Sequence, residues 1–519
     1  MVQYLDNNSG FNQWNLMNAN KQQKKSGFFK WILMFLLAWW VVGLLFPQKN
    51  VSTETTQPIV IEKSTGVVNK IDSEKISADV QGLRISNISL KDYYKSSKTK
   101  DFVSLLSDED AFIEIGFGSG DTQIPNINTK WNIDANKTNM SWNNNAKIKF
   151  NRDISIENYV IRISDTIKNN SNKEINIAPY ARVVKKGTEK TSTAVETGGV
   201  VYANSDLNYA NWMKLNKKSF AYSTVRGYFG FVEQYWETIV SVDANDQTIS
   251  LKRNGDMYLA DGNAAPVKIG AGETQTIDTY IFAGPRIAKI LDNAAENIPN
   301  INKTMDYGWF WFFAQPMLWM INWLFNMVGN YGVAIILMTL ILRLLMWPLT
   351  RKSYVSTMMM QKMQPELQRV QKLYANDKAR LQMEIMKVYQ THKTSPMAGC
   401  LPMLIQIPIF FALYKALLIS VPMRSARFLW ISDLAAMDPY FILPILMGAT
   451  MFLQQYIQTS KISKDDNNNP IAVSQRAMKW MPLLFTIMFA WMPAGLVLYW
   501  TVSNVFSIFQ MYVIKKTTK

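Results

Sequence analysis

Residues 333–351 read VAIILMTLILRLLMWPLTR, an apolar run with one arginine, Arg343, set inside it. An arginine at bilayer depth costs roughly 2.5–3.5 kcal/mol on insertion scales, so it marks a functional position by default. Pro348 stands five positions after Arg343, which puts the arginine Cα about 7–8 Å inside the cytoplasmic end of a helix that stops there. Thr339 lies one turn deeper on the same face. Two readings of the arginine stand. It snorkels to the interface, as long cationic side chains near helix ends do, or it serves something that enters. No Asp or Glu occurs in the other apolar spans of the chain, so the sequence offers this charge no partner inside the membrane.

Working outward, the 519 residues divide sharply. Residues 49–306 are rich in Asn, Thr, Ser and Lys, whereas Leu, Ile, Met, Phe and Trp dominate from Tyr307 onward. The net charge of +16 sits where a membrane protein places it, beside the apolar spans on one side. The single cysteine, Cys400, excludes a disulfide within the chain and reads as a packed small hydrophobe. The single histidine, His392, has no second His or Cys to work with and reads as solvated or packed. No metal cluster and no glycine-rich phosphate loop is legible, so no cofactor is expected.

At the N-terminus, a polar segment over residues 1–30 ends in Lys21, Lys24, Lys25 and Lys30 and is followed by apolar residues 31–46. No small-x-small cleavage site follows, so this reads as an uncleaved signal anchor with a cytoplasmic N-terminus. A polar linker over 51–65 leads into alternating runs such as Ala111-Phe112-Ile113-Glu114-Ile115. These predict a β-sandwich, within a domain over 47–305 on the outer side of the membrane. Residues 159–185, with a turn at 169–173, read as a β-hairpin, and 287–298 as a closing helix. Residues 306–327 hold Trp309, Trp311, Trp319 and Trp323 around Pro316. Were this segment a span, the basic region after Arg351 would fall outside, so an interfacial amphipathic helix fits better.

The remaining spans are expected at 331–350, 399–421, 441–457, 481–493 and 496–514, giving six with the anchor. Residues 422–440 then form an outer loop, 458–480 a cytoplasmic one, and 515–519 a cytoplasmic tail, with Lys461, Lys464, Arg476, Lys479, Lys515, Lys516 and Lys519 on the inner side. Residues 351–398 read as a cytoplasmic helical hairpin turning at Asn376-Asp377, with Leu367, Val370 and Leu373 on one helix and Leu381, Ile385 and Tyr389 on the other. The fold class is thus a polytopic α-helical membrane protein carrying a β-sandwich domain on its outer side. Gln406 falls about 9 Å into its span, near the depth of Arg343. Trp500, Ser503, Asn504, Ser507 and Gln510 recur at helical spacing on the last span. Singly such residues are helix–helix glue; with an arginine at the same depth they suggest a wet concavity in the inner leaflet. Lys415, near the outer end of its span, reads as snorkelling.

Several of these stretches carry a family resemblance. They are Asp306-Tyr307-Gly308-Trp309, Thr339-Leu340-Ile341-Leu342-Arg343, Pro348-Leu349-Thr350, GCLPMLIQIPIFFALY (399–414), DPYFILPILMGATMF (438–452) and PAGLVLYWTVSN (493–504), with Tyr235-Trp236 in the β domain. In that order they resemble the YidC/Oxa/Alb family of membrane protein insertases, in its Gram-negative form with a large periplasmic domain. The resemblance implies a five-helix core around a hydrophilic groove open to cytoplasm and lipid. Arg343, Thr339, Gln406, Trp500, Ser503 and Asn504 would line it, Trp500 standing where the family carries a tyrosine. Ile407, Pro408, Phe410, Met488 and Trp491 would form a greasy slide for the arriving helix. The implied partners are nascent membrane proteins, the Sec translocon with its SecD/SecF subunits, the signal recognition particle pathway with the ribosome, and membrane lipids, with no direct nucleic-acid contact. The short tail after Ile514 weakens ribosome binding through that end. Two rival classes remain. A secondary transporter calls for intramembrane carboxylates, which these spans lack, and an envelope-assembly scaffold would act through the β domain.

Overall fold

Strand Ile148–Glu157 shows how alternation builds the first half of the molecule: Ile148, Phe150, Arg152 and Ile154 point inward while Lys149, Asp153 and Ser155 face water. A computed structural model describes residues 68–95, 99–107, 110–187, 197–392, 401–459 and 470–517, all within the compact unit Thr53–Lys519. The expected leader, anchor and linker, Cys400, Lys461, Lys464 and Lys519 lie outside the described residues, as do the side chains of Arg476 and Lys479.

Among the described residues, two antiparallel sheets of ten and nine strands form the β domain. The middle of the first runs Phe112–Gly118, Ile175–Lys186, Met257–Asn263, Gln247–Asn254; that of the second runs Trp236–Val242, Thr274–Pro285, Val160–Asn169, Ile148–Glu157. The sheets meet face to face: a Cβ on Gly262 of the first would run into the Phe229 ring of the second. Arg152 is buried between them. It pairs with Asp165 through two hydrogen bonds of 2.7 and 2.8 Å and donates to the Ile115 carbonyl of the opposite sheet at 2.9 Å. A buried charge held this way binds the layers only while every partner is present.

The expected hairpin over 159–185 is a crossover instead. Val160–Asn169 pairs with Ile148–Glu157 and with Thr274–Pro285, whereas Ile175–Lys186 belongs to the other sheet. The cause is Asn169, fully buried, whose amide donates to the carbonyls of Lys173, Ile269 and Gly270 and ties the turn to a distant segment. The tight hairpin lies one strand earlier, around Asn158 at φ 53°. The closing helix, α1, is shorter than expected, Ala288–Ala294.

The chain leaves this domain through a buried latch. Thr304 donates to Glu237 at 3.1 Å, and its carbonyl accepts from Tyr209 at 2.9 Å and from Arg286. Burial pushes the Glu237 carboxyl up to about 7, against the pull of the Arg286 guanidinium and the Thr304 hydroxyl.

The second half is helical: α2 (Trp311–Val328), α3 (Tyr331–Leu345), α4 (Trp347–Leu373), α5 (Lys378–Thr391), α6 (Leu401–Ile419), α7 (Ile442–Thr459), α8 (Pro470–Phe489) and α9 (Ala494–Thr517). Helix α2 buries Ala314, Met317, Ile321 and Leu324 at three- and four-residue spacing and leaves Trp311, Trp319 and Trp323 exposed, which is an amphipathic helix. Its buried stripe joins a core with Ile335 and Met338 of α3, Leu413 and Leu417 of α6, Met447 of α7, Phe489 of α8 and Val497 of α9.

The run 333–351 is not one straight helix. It bends by 65° between α3 and α4 at Met346. Pro348 lacks an N–H and its ring clashes with the carbonyl four residues back, so it is accommodated only in the first turn of a new helix. Arg343 consequently sits in the last turn of α3, nearer its end than the position of Pro348 alone predicts. Of the described helices, α9 by itself is long and apolar enough to cross a membrane, and the bent α3–α4 pair passes as a broken span. The apolar stretches Leu404–Ile419, Ile442–Ile457 and Trp480–Phe489 are shorter than the ~20 residues a full span needs. Six complete spans are therefore not established by these helices.

Helices α4 and α5 fold back on each other around Met363, Leu367 and Val388, with Asp377 capping α5 through a 3.0 Å bond from the Arg380 amide. Leu373, expected in this contact, is 70% exposed, and Val388 takes part in its place. Between the two halves of the molecule, Gln234 of the β domain donates to the Leu418 carbonyl at 2.9 Å, and Arg424 reaches back to the β domain from the loop after α6.

Candidate functional site

Arg343 extends from the last turn of α3, where a cation complements the free carbonyls of a helix C-terminus. Its Nε donates to the Ser503 hydroxyl of α9 at 2.7 Å, and a terminal N–H of the same guanidinium donates to the same oxygen. A hydroxyl has two lone pairs and can accept both. Ser503 is buried while Arg343 is half-buried. Among the described residues, no carboxylate oxygen lies within 4.0 Å of this guanidinium; the carboxylates of the helical half that face basic side chains are Glu384 beside Lys387, Glu366 beside His392 and Asp306 beside Lys415.

Ser503 belongs to a polar seam along α9. One turn away, the Tyr499 hydroxyl accepts a 2.8 Å bond from the Gln406 amide of α6. Ser507, one turn the other way, donates to the Ser503 carbonyl at 2.8 Å. Gln510 is fully buried and makes two long contacts of 3.5 Å, to the Arg343 carbonyl and the Thr350 hydroxyl. The seam thus gathers groups from α3, the start of α4, α6 and α9, and Arg343 carries its one formal charge.

The other expected groove residues lie around this seam in different ways. Thr339 is fully buried and returns its hydroxyl to the Ile335 carbonyl of its own helix at 2.6 Å. Asn504 turns to α7, donating to the Thr450 hydroxyl at 3.3 Å. Trp500 packs among Phe410, Phe485 and Phe489, with ring centroids 5.4, 6.1 and 5.1 Å away. Trp500 itself brings no hydroxyl, and the seam's hydroxyl at this level belongs to the preceding residue, Tyr499. The spacing of four to Ser503 and Ser507 could have found it, since all three share a face.

Of the expected slide, Ile407, Met488 and Trp491 are exposed apolar side chains, Trp491 at 70%. Pro408 is half-buried within α6, and Phe410 joins the Trp500 cluster. Exposed Leu483, Leu484 and Ile487 continue the apolar surface along α8. An apolar surface of this extent is what a membrane or a passing apolar helix covers.

Lys415 does not snorkel. It pairs with Asp306, whose other oxygen accepts the Gly308 amide at 2.8 Å. Gly308 has φ +70°, a left-handed conformation that glycine adopts freely, and the Lys415 stem passes beside it. The Asp-Tyr-Gly-Trp stretch is therefore the clasp that joins the entry to α2 with the outer part of α6.

Comparison with known proteins covers both halves. The family described as 60Kd inner membrane protein matches residues 323–519, and the YidC periplasmic domain family matches residues 70–320. The membrane protein insertase YidC of Rickettsia bellii (strain OSU 85-389) is 34% identical over 519 residues, covering 91% of each chain. That of Rickettsia felis (strain ATCC VR-1525 / URRWXCal2) is 34% identical over 518 residues, covering 90% of this chain and 91% of its own. A crystal structure of an active YidC insertase aligns with 86% of this chain and 94% of that one at 18% identity, and its TM-score of 0.37 lends it no weight beside the sequence relatives. A third of the residues shared over nine-tenths of each chain, with both halves matched, is decisive: the chain belongs to the YidC family of membrane protein insertases, which are inner-membrane proteins with a periplasmic domain and are not enzymes.

Proposed function

We propose that this protein inserts nascent membrane proteins into the inner membrane through a hydrophilic inner-leaflet groove centred on Arg343. The observation that carries this reading is the bond from Arg343 to Ser503. A neutral hydroxyl orients the guanidinium without cancelling its charge, so the cation is still available to a carboxylate that enters. A short acidic or polar segment of the client crosses most cheaply where the low-dielectric path is shortest. Drawn partway in by Arg343, it is released outward as its apolar helix leaves along Ile407, Pro408, Phe410, Met488 and Trp491. Gln406, Trp500 and Ser503 belong to the wall of this groove, and Thr339 and Asn504 are packed behind it.

The same reading takes α2 as an interfacial helix and the chain as six spans, with both termini cytoplasmic and the β domain periplasmic. The basic residues Arg351, Lys352 and Lys362 of α4 and Lys515 and Lys516 of α9 support that orientation. Cooperation with the Sec translocon and SecD/SecF, and delivery by the signal recognition particle pathway and the ribosome, belong to the proposal as well.

The test is to deplete the native protein, express Arg343→Ala, and follow insertion of a client with an acidic outer segment. Insertion should fall about tenfold, the size expected for loss of a charge-assisted contact, while a client with a neutral outer segment is spared. Unchanged insertion of the acidic client removes the role of the charge. A photo-reactive residue at Gln406 or Met488 should crosslink to a stalled nascent chain.

A further inference from the structure

The β-domain hairpin formed by strands Arg84–Tyr94 and Phe102–Leu105 ends beside the helical half. Arg424, on the loop after α6, donates to the carbonyls of Tyr94 at 2.9 Å and Lys95 at 2.6 Å. Its guanidinium also lies 5.6 Å from the centre of the Trp236 ring. One side chain thus holds the hairpin tip against that loop. Tyr93 turns inward, its ring 5.1 Å from Trp236. Tyr94 and Phe102 turn the other way and stack on each other at 5.4 Å and 19°, yet they remain 49% and 40% exposed.

Two large rings stacked in the open are not part of the domain's core. Lys95 and Lys100 beside them are exposed too. The loop to which the tip is tied presents Leu429, Met437, Tyr440 and Phe441 outward. Aromatic rings accompanied by lysines are the composition of the membrane–water interface, where rings sit at headgroup level and amines meet lipid phosphates.

We propose that this hairpin tip is a lipid-docking element of the β domain. The rings of Tyr94 and Phe102 enter the outer-leaflet headgroup layer, and Lys95 and Lys100 pair with anionic lipid phosphates. The β domain is thereby fixed at a set height above the helices by Arg424 on one side and by the membrane on the other. The proposal rests on the reading that residues 422–440 lie at the periplasmic membrane surface.

A full-length Cys400→Ser protein offers a background without cysteine. Spin labels at Phe102→Cys, Lys100→Cys, Leu429→Cys and Lys217→Cys, one per protein, are compared in vesicles of phosphatidylethanolamine and phosphatidylglycerol. Lys100→Cys leaves the ring pair intact, and Lys217 is an exposed site elsewhere on the domain. The labels at 102, 100 and 429 should collide with an aqueous nickel chelate about five-fold less than the one at 217, as interface burial requires. Labels at 102 and 100 as accessible as 217, with 429 still protected, overturn lipid docking alone. Accessibility at 429 as well defeats the topology beneath it. Protection that rises with protein density in the vesicles assigns the tip to a second copy of this chain and also overturns the proposal.

Discussion

Arg343 and Ser503 stand 160 residues apart in sequence and are joined by a 2.7 Å hydrogen bond in which the guanidinium donates to the hydroxyl. The neutrality of that acceptor is the testable part. In Ser503→Asp a carboxylate stands within reach of the guanidinium and forms an ion pair in an apolar setting. Insertion of a client with an acidic outer segment, read by protease accessibility, should then fall as far as in Arg343→Ala. Ser503→Ala loses only the orienting bond, about 1 kcal/mol, and should cost insertion a few-fold. Full activity of the aspartate variant would mean that the free charge is not what the client meets.

Gln406 and Tyr499 test the structural share of the same seam. Tyr499 is buried and its hydroxyl receives the Gln406 amide at 2.8 Å. Tyr499→Phe keeps the ring and removes the acceptor, so thermal unfolding in detergent should show a loss of about 1 kcal/mol. Insertion should stay within about two-fold of the parent, because the charge at Arg343 is untouched. A collapse of insertion with unchanged stability would move the hydroxyl into the client's path.

How much of this was legible in the sequence depended on how locally each feature is determined. The two halves, the amphipathic α2 and the α4–α5 pair follow from composition and periodicity, which are local. Arg343 and Ser503 could both be singled out as polar residues in apolar runs, but their bond joins separate helices. The bend at Met346 was written in Pro348, whose effect falls on the preceding turn. The crossover at Asn169 was not legible, since three distant carbonyls capture that side chain. Lys415 looked like a snorkelling cation because Asp306 lies 109 residues away and outside the apolar spans.

The Asp306–Lys415 clasp supports a stability prediction. Both side chains are mostly buried, at 20% and 14% exposure. Asp306→Ala removes the carboxylate that faces the lysine and leaves the Gly308 amide without its acceptor, which should cost about 2–3 kcal/mol, somewhat below a fully buried pair. Combining Asp306→Ala with Lys415→Met removes both charges and should cost less than the sum of the two single variants, a double-mutant cycle with clear coupling. Gly308→Ala should cost about 1 kcal/mol by a separate route, its left-handed backbone. Additive effects at 306 and 415 would show that the two groups do not act as a pair.

Glu237 carries a pH prediction whose sign is unusual for a carboxylate. Burial holds its folded-state value up at about 7, whereas an unperturbed glutamate titrates near 4.5. Between those two pH values the folded chain keeps a proton that the unfolded chain has released. Stability must therefore fall as pH rises through that window, by at most about 3 kcal/mol. Other groups titrate there too, so the informative quantity is the difference between the parent and Glu237→Gln, which cannot titrate. Thermal unfolding of the full chain in nanodiscs from pH 4.5 to 8 should show the variant gaining on the parent across the window and running parallel to it above. A constant offset at every pH would mean that Glu237 stays ionised beside Arg286, with the guanidinium outweighing burial.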